Sequence, residues 1–285
     1  MTDQPGTVSR AWWTHLRFGV RILVVLVLVI GGASGWVVQK ARVQRDAVAS
    51  IQRAGGTVWY DWISVGAWHD NPTSEWLTER VGVDYFADVY MASVRDKGSD
   101  RQLDQIARLS RLEKLDLYGS PVTDLGLSHV KKLDRLQWLQ LANTYVSDAG
   151  LLHLVELRQL EFLDLENTAV TDLGLAHLAT LNRLKTLSLK DTNVSDAGLE
   201  HVVRMPGLIS LNLDGTKVTD DGLRLLTGLT GLSRLFLDDT KVSDAGLAEL
   251  KKMPSLVSVF VQRTRVTSAG VNYLRAGPRQ LTIVH

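Results

Sequence analysis

A six-residue block, Val-(Thr/Ser)-Asp-x-Gly-Leu, recurs along this chain at a constant interval of 24 residues. A fixed period of this length is typical of a stacked solenoid, in which each unit packs only against its neighbours. The repeat therefore constrains the architecture more than any other feature, and it argues against a globular domain built around a catalytic cleft. The blocks begin at Val122, Val146, Val170, Val194, Val218 and Val242, and a degenerate copy begins at Val266.

Each unit divides into a strand half and a helix half. In the unit that begins at Leu136, apolar residues first alternate with polar ones, which predicts a short strand whose leucines point inward. Ser147 and Asp148 then predict the start of a helix, because a hydroxyl or a carboxylate caps the first turn and an acid suits its positive end. Leucines three residues apart follow as one apolar stripe. The repeat thus predicts an α/β solenoid with parallel strands on the concave face and helices on the convex face.

A hydroxyl residue recurs where each strand turns towards its helix. Such a side chain can donate and accept hydrogen bonds locally, so the column is predicted to satisfy backbone groups buried in the turn. Its role is then structural rather than catalytic. The column comprises Ser120, Thr144, Thr168, Thr192, Thr216, Thr240 and Thr264.

These motifs resemble the leucine-rich repeat family of the strand–helix type. The block is similar to the repeats of F-box-associated leucine-rich proteins and of their bacterial relatives. The whole chain more closely resembles membrane-anchored leucine-rich repeat proteins of planctomycete-type bacteria, in which an apolar anchor, a basic stalk ending in Gly-Gly and an aromatic cap precede the array. The matching segments are residues 21–38, 39–56 and 76–89. The resemblance implies a horseshoe-shaped solenoid, although threonine replaces the usual asparagine of the motif. It gives no support to the F-box role, since no F-box-like segment precedes the array.

The net charge of +1 hides two regions of opposite sign. Residues 1–53 hold seven basic and two acidic side chains, whereas the remainder holds 25 basic and 29 acidic ones. A mildly acidic array argues against DNA or RNA as a partner, because nucleic-acid binding needs a basic face. The chain has no cysteine, which excludes disulfides, thiolate metal sites and cysteine nucleophiles.

An uncharged apolar stretch, Ile22–Val38, predicts a single-pass membrane anchor behind a basic tail of residues 1–21. Its length is close to the lower limit for a helix that crosses a bilayer, and Trp12, Trp13 and Trp36 lie near its ends, as interfacial aromatics do. A cleaved signal peptide is the alternative. Basic residues flank both ends equally, so the orientation is open. The favoured arrangement places the tail in the cytoplasm and the array outside it.

Two segments separate this anchor from the array at 97–285. Residues 39–56 are predicted to form a juxtamembrane helix that ends at Gly55-Gly56, interpreted as a spacer rather than a stalk or dimer seam. Residues 57–96 are rich in tryptophan and tyrosine and are interpreted as the cap that seals the first repeat, with a binding pocket as the alternative. Their predicted elements are strands at Thr57–Ile63 and Val89–Val94 and a helix over Pro72–Val81, and a final strand is expected at Leu281–Val284.

Function is expected at the variable positions of the concave face. Exposed aromatic residues there form two patches with acidic residues between them. Concave faces are the usual binding surfaces of solenoids, and aromatic residues are typical interface anchors. The alternative is that the rings pair across strands and only stabilise the sheet. The candidate protein-binding residues are Tyr118, Trp138, Phe162, Asp164, Glu166, Asp214, Phe236, Asp238 and Phe260.

Other candidate sites are weaker. A histidine column at equivalent helix positions could bind a metal, but no carboxylate or cysteine completes a ligand set at that spacing, so a tolerated half-exposed position is preferred. No nucleophile elbow, glycine-rich phosphate loop or H-E-x-x-H motif is present. We therefore expect a non-enzymatic, membrane-anchored scaffold without cofactor or metal that binds an unidentified protein or peptide. A structural envelope spacer without a partner and an F-box-like substrate-recognition subunit are the alternatives. The histidines are His129, His153, His177 and His201.

Overall fold

Ten strands pair in chain order into one sheet within the residues that the structure, a computed structural model, describes: 31, 35–61, 83–85, 87–277 and 281–285. The strands are β1 (Thr57–Tyr60), β2 (Val89–Ser93), β3 (Lys114–Asp116), β4 (Trp138–Gln140), β5 (Phe162–Asp164), β6 (Thr186–Ser188), β7 (Ser210–Asn212), β8 (Arg234–Phe236), β9 (Ser258–Phe260) and β10 (Thr282–Val284). The helices are α1 (residues 35–53), α2 (Asp100–Ile106), α3 (Asp124–Val130), α4 (Asp148–Leu151), α5 (Asp172–Leu178), α6 (Asp196–Val202), α7 (Asp220–Leu226), α8 (Asp244–Glu249) and α9 (Ser268–Arg275). Single 3-10 turns lie at Val83–Tyr85, Leu152–Leu154 and Leu250–Lys252.

The 24-residue repeat period sets the register of the sheet. From β2 to β10 the strands run parallel, and from β3 onwards each strand residue lies beside the residue 24 positions later, as Leu115 lies beside Leu139. Strand β1 pairs antiparallel with β2. The alternation of parallel strands and helices confirms the predicted α/β solenoid, and β10 confirms the predicted final strand. The side of the sheet that points away from the helices is called the concave face below.

One continuous hydrophobic core runs through all the repeats. The middle residue of each array strand points towards the helices, and the leucines there are fully buried. Helix residues such as Leu127 and Leu151 meet them from the other side, also with no exposed surface. Burial of each such side chain contributes about 2 kcal/mol. Because no unit can bury its leucines alone, stability depends on the stacking of neighbouring repeats.

Helix α1 belongs to this core, so the interpretation of residues 39–56 as a spacer is wrong. Ala47, Val48 and Ile51 join the hydrophobic cluster beside β2, and the Gln44 amide donates a buried hydrogen bond of 2.7 Å to the carbonyl of Ala87. The apolar spacing of this segment predicted a helix but not the surface against which it packs. The helix ends as predicted, at Gly55, whose φ of +73° favours glycine.

The predicted membrane anchor falls mostly outside the described residues, as do the predicted helix over Pro72–Val81 and the tryptophans at positions 62, 68 and 76. Within the part of the chain that the structure describes, no helix is both long enough and apolar enough to span a bilayer.

The hydroxyl column has the predicted structural role. Five buried threonines each donate a hydrogen bond of 2.6 Å from Oγ1 to the carbonyl three residues earlier. Thr264 does the same at 2.7 Å, whereas Ser120 donates to the carbonyl of Val94 in the preceding unit. The column therefore closes every strand turn from the inside. The five buried residues are Thr144, Thr168, Thr192, Thr216 and Thr240.

Replacing Thr240 by valine is expected to lower the free energy of unfolding by about 1–2 kcal/mol, because the Leu237 carbonyl loses its donor and stays buried. Thermal unfolding followed by circular dichroism measures the change. Thr227→Val is the matched control, since Thr227 makes the same kind of bond to the Arg224 carbonyl in an exposed position. Equal stability of the Thr240 variant and the parent would contradict the structural role of the column.

The aspartate of the block has a role that its sequence position did not indicate. It was interpreted as a helix cap, but its carboxylate accepts hydrogen bonds of 2.5–2.9 Å from the backbone N–H and the hydroxyl of the Thr or Ser 23 residues later. The hydroxyl oxygen caps its own helix in several units, as Thr123 does for the Leu125 N–H. Each carboxylate therefore joins one repeat to the next. The linked pairs are Asp100–Thr123, Asp124–Ser147, Asp148–Thr171, Asp172–Ser195, Asp196–Thr219, Asp220–Ser243 and Asp244–Thr267.

This link also explains the glycine of the block. A Cβ atom on Gly222 would lie 2.3 Å from Oδ1 of Asp196, and the other block glycines face the preceding aspartate just as closely. The glycine therefore makes room for the carboxylate rather than for an unusual backbone conformation. Most of the block is thus committed to the core and to contacts between repeats.

Candidate functional site

The structure brings the predicted aromatic residues of the concave face together as two stacked pairs. Trp138 on β4 and Phe162 on β5 lie directly opposite each other, with ring centroids 5.0 Å apart and planes inclined by 14°. Phe236 on β8 and Phe260 on β9 stack at 4.5 Å and 7°. All four side chains are half-buried. Stacking stabilises the sheet, and the exposed part of each pair leaves an apolar surface open to solvent.

The two stacks lie at separate places on the same face. Strands β5 and β8 are three strand steps apart, which corresponds to about 14 Å. A polar side chain lies on the strand next to each stack: Thr186 on β6 is beside Phe162, and Asn212 on β7 is beside Phe236. The concave face therefore offers two apolar contact points with a polar stretch between them.

Most acidic side chains of this face have a polar partner from a neighbouring strand or turn. Tyr118, another predicted site residue, lies beside Arg95, whose guanidinium is 5.6 Å from the centroid of the Tyr118 ring. Asp164 in addition accepts a hydrogen bond of 2.9 Å from the Glu166 N–H, so its carboxylate shapes the turn after β5. The pairs are Asp116 with Arg95, Asp164 with Gln140, Glu166 with Lys190, and Asp239 with Arg263.

Asp214 and Asp238 are different, because neither carboxylate has an ion pair or a side-chain hydrogen bond with a described residue. Each uses one oxygen to hold the backbone: Oδ1 of Asp214 accepts from the Asp238 N–H at 2.7 Å, and Oδ1 of Asp238 accepts from the Gln262 N–H at the same distance. Burial raises the pKa of Asp214 to about 6, with repulsion from Asp238 acting in the same direction and the Asp238 N–H opposing it. The two carboxylates are adjacent and share like charge.

Replacing Asp214 by asparagine is therefore expected to raise the free energy of unfolding at neutral pH by about 1 kcal/mol, a figure reduced for the half-exposed position. The folded-state pKa is above the unfolded value of about 4, so ionisation costs stability as the pH rises from about 4 to about 6. Asparagine keeps the acceptor for the Asp238 N–H and removes that cost. The gain should be absent below about pH 4 and constant above about pH 7.

Urea unfolding at several pH values measures this difference. Asp221→Asn is the control, because the Asp221 side chain is 75% exposed and lies on a helix. The Asp214 variant could instead match the parent in stability at neutral pH and in pH profile. That result would show that ionisation of Asp214 does not cost folding stability.

The histidine column is not gathered into a site. His129 approaches one carboxylate, with Nδ1 at 3.7 Å from Oδ1 of Asp104. Among the residues that the structure describes, no group of three or more histidine, cysteine, aspartate or glutamate side chains is arranged to hold a metal ion.

An apolar edge of the solenoid lies outside the sites that the sequence predicts. Leu125, Tyr145 and Leu173 are 69%, 71% and 77% exposed, near the starts of the helices. Both leucines occupy the variable position inside the block, between the aspartate and the glycine. Their recurrence two repeats apart is visible in the sequence, but function is expected at the variable positions of the concave face, so this position inside the block is not among the predicted sites.

Comparison with known proteins gives a likeness only among solved structures, because no family model and no curated protein matches the sequence. Internalin C2 of Listeria monocytogenes is 24% identical over 72% of this chain and 82% of its own, with a TM-score of 0.56. A leucine-rich repeat protein of Leptospira interrogans is 14% identical over 64% of this chain and 56% of its own, with a TM-score of 0.45. The 24-residue register and the likeness to internalin C2 establish the fold of this chain as an α/β leucine-rich repeat solenoid.

Proposed function

We propose that this protein is a membrane-anchored scaffold, similar to planctomycete-type leucine-rich repeat proteins, that binds a protein or peptide through its concave face. The observation that carries the binding role is the pair of aromatic stacks on one face of the sheet. Aromatic anchors in partly desolvated surroundings contribute much of the free energy of protein association, and truncating one such residue costs about 2 kcal/mol or more. The proposal is for binding rather than catalysis.

The spacing of the stacks fits one extended polypeptide segment. About 14 Å separates the strands of Phe162 and Phe236, and an extended chain covers about 3.3 Å per residue. A segment of about four to five residues therefore reaches from one stack to the other. The polar stretch beneath it includes Asp164, Glu166 and Asp214, which offer acceptors to the backbone and side chains of the segment.

A double variant tests the binding role. Phe236→Ser with Phe260→Ser is expected to weaken binding of the native partner by about 30-fold or more, because an apolar anchor is lost from the interface. Proximity labelling in the native host, with the label on the C-terminus, provides the partner set. Circular dichroism checks that the variant is folded. Leu125→Ser with Leu173→Ser is the matched control, since it removes exposed apolar side chains from a different face.

The result separates the proposal from its main alternative. Loss of partners in the phenylalanine variant, with retention in the leucine variant, supports binding through the concave face. An identical partner set for parent and both variants would favour a structural spacer, in which the aromatic stacks only stabilise the sheet.

The membrane role rests on the sequence of Ile22–Val38 and is tested separately. The chain has no cysteine, so one cysteine introduced at the exposed residue Tyr273 is a unique label. We expect a membrane-impermeant maleimide to label it in intact cells, which places the array outside the cytoplasm. Recovery of the chain in the soluble fraction would contradict the anchor, and labelling only after lysis would reverse the proposed orientation.

A further inference from the structure

The acidic side chains of the concave face form two groups that differ in how their charge is balanced. Asp116, Glu166 and Asp239 each form an ion pair with an arginine or lysine. Asp214 and Asp238 form none with any described residue, although both stand on the same face between those pairs. Asp164, which also forms no ion pair, accepts a hydrogen bond from the Gln140 amide instead. The sheet thus gives most of its acids a side-chain partner and leaves one adjacent pair, Asp214 and Asp238, with backbone partners.

The unbalanced pair adjoins the later aromatic stack. Asp238 lies in the turn after β8, two residues beyond Phe236. Leu237 between them is fully buried and points to the core, which leaves Phe236 and Asp238 on the concave face. Phe260 stacks on Phe236 from the next strand, and Asp214 contacts the Asp238 backbone from the preceding one. An apolar surface and two carboxylates are therefore contiguous on the concave face.

Two cations near this surface, Lys190 and Arg263, are already bound to other acids. Lys190 donates to Glu166 at 2.7 Å, and the Arg263 guanidinium makes two bonds to Asp239. Arg234 lies two residues before Phe236, on the side of the stack away from the carboxylates, and it is exposed. None of these side chains forms an ion pair with Asp214 or Asp238.

We infer that this surface, formed by Phe236, Phe260, Asp214 and Asp238, seats one lysine or arginine side chain of the bound polypeptide. The inference rests on the proposed function and names the chemistry of its partner. A lysine or arginine stem can cover the exposed part of the aromatic stack while its charged head stays at the polar edge. The head then bonds the free carboxylate oxygens and offsets the repulsion between them. Aromatic faces also attract cations directly.

Selection from a displayed random-peptide library tests the inference with the purified full-length chain. Three samples are selected in parallel: the parent, Asp214→Asn with Asp238→Asn, and Phe236→Ser with Phe260→Ser. A fourth sample, Asp134→Asn with Asp221→Asn, removes the same charge from exposed positions outside the concave face. We expect the parent and this control to enrich peptides that carry lysine or arginine next to apolar residues. The first double variant should lose the basic residue from its peptides, and the phenylalanine variant should lose the peptides themselves.

One enriched peptide then gives the affinity. Replacement of its basic residue by norleucine is expected to weaken binding at least tenfold, and Asp214→Asn with Asp238→Asn should weaken it by a similar factor. The two changes together should add little, because they remove the same interaction. Full additivity, or equal affinity of the lysine and norleucine peptides, would overturn the inference.

The outcomes also separate the inference from the function on which it rests. One outcome is a set of peptides that depend on Phe236 and Phe260 without an excess of lysine or arginine. That result would overturn the proposed binding of a basic side chain and leave concave-face binding intact. A selection that yields no peptide dependent on those phenylalanines overturns both.

Discussion

Replacing Asp196 by alanine is expected to lower the free energy of unfolding by about 3 kcal/mol, although the residue is only half-buried. Its carboxylate accepts the backbone N–H of Thr219 at 2.8 Å and the Thr219 hydroxyl at 2.6 Å. Hydrogen bonds to a charged acceptor contribute more than neutral ones, and their loss leaves the half-buried Thr219 N–H without its acceptor.

The effect should spread beyond one residue because the bond joins two repeats. In a solenoid the total stability depends on each unit and on the interfaces between neighbours. Asp196 belongs to α6, whereas Thr219 is the N-cap of α7, so the carboxylate is part of that interface. We expect the variant to unfold with lower cooperativity as well as at a lower temperature.

Two further variants make the measurement specific. Asp221→Ala removes an acid two residues after Thr219 that is 75% exposed and paired with the exposed Arg224, and it should change stability by less than about 0.5 kcal/mol. Asp196→Asn keeps an acceptor for the Thr219 N–H and should recover about half of the loss. If alanine at positions 196 and 221 gave equal unfolding curves, the link between repeats would have no energetic role.

The contrast between these aspartates shows what a single sequence could reveal about the fold. The strand leucines and the threonine column follow from periodicity within one unit, and the structure places them as predicted. The carboxylate of Asp196 acts on a residue in the next unit, so the pattern within one unit suggested the nearer role of a helix cap. The block glycine was unexplained for the same reason, since its constraint comes from the carboxylate of the preceding repeat.

The candidate site also has one part that the sequence predicts and one part that it does not. Trp138 with Phe162, and Phe236 with Phe260, stand 24 residues apart, so the register alone predicts that each pair meets across adjacent strands. The charge balance of the acids could not be predicted, because it depends on side-chain contacts between neighbouring strands and turns. Only those contacts distinguish Asp214 from an acid such as Glu166, which Lys190 neutralises.

Replacing Ile51 by alanine is expected to cost about 3 kcal/mol, mainly at the N-terminal end of the array. Ile51 is fully buried, and together with Val94 it encloses Gly56, where an added Cβ would lie 2.9 Å from one and 2.6 Å from the other. Helix α1 thus covers the core at the N-terminal end of the described array. A cavity there should loosen β2 and β3 first, because contacts in a solenoid are made only between neighbours.

Hydrogen exchange measured by mass spectrometry distinguishes loosening of β2 and β3 from destabilisation of the whole array. Amides of Val89–Ser93 and Lys114–Asp116 should exchange faster in the Ile51 variant, while those of Ser258–Phe260 should keep their protection. Gln52→Ala is the control, because the neighbouring Gln52 side chain is exposed and should leave both ends unchanged. Unaltered protection of β2 in the Ile51 variant would return residues 39–56 to the role of a spacer. Loss of protection confined to β2 and β3 would instead make α1 the first structural unit of the array, so that any membrane anchor before it would hold the solenoid directly by its N-terminal helix.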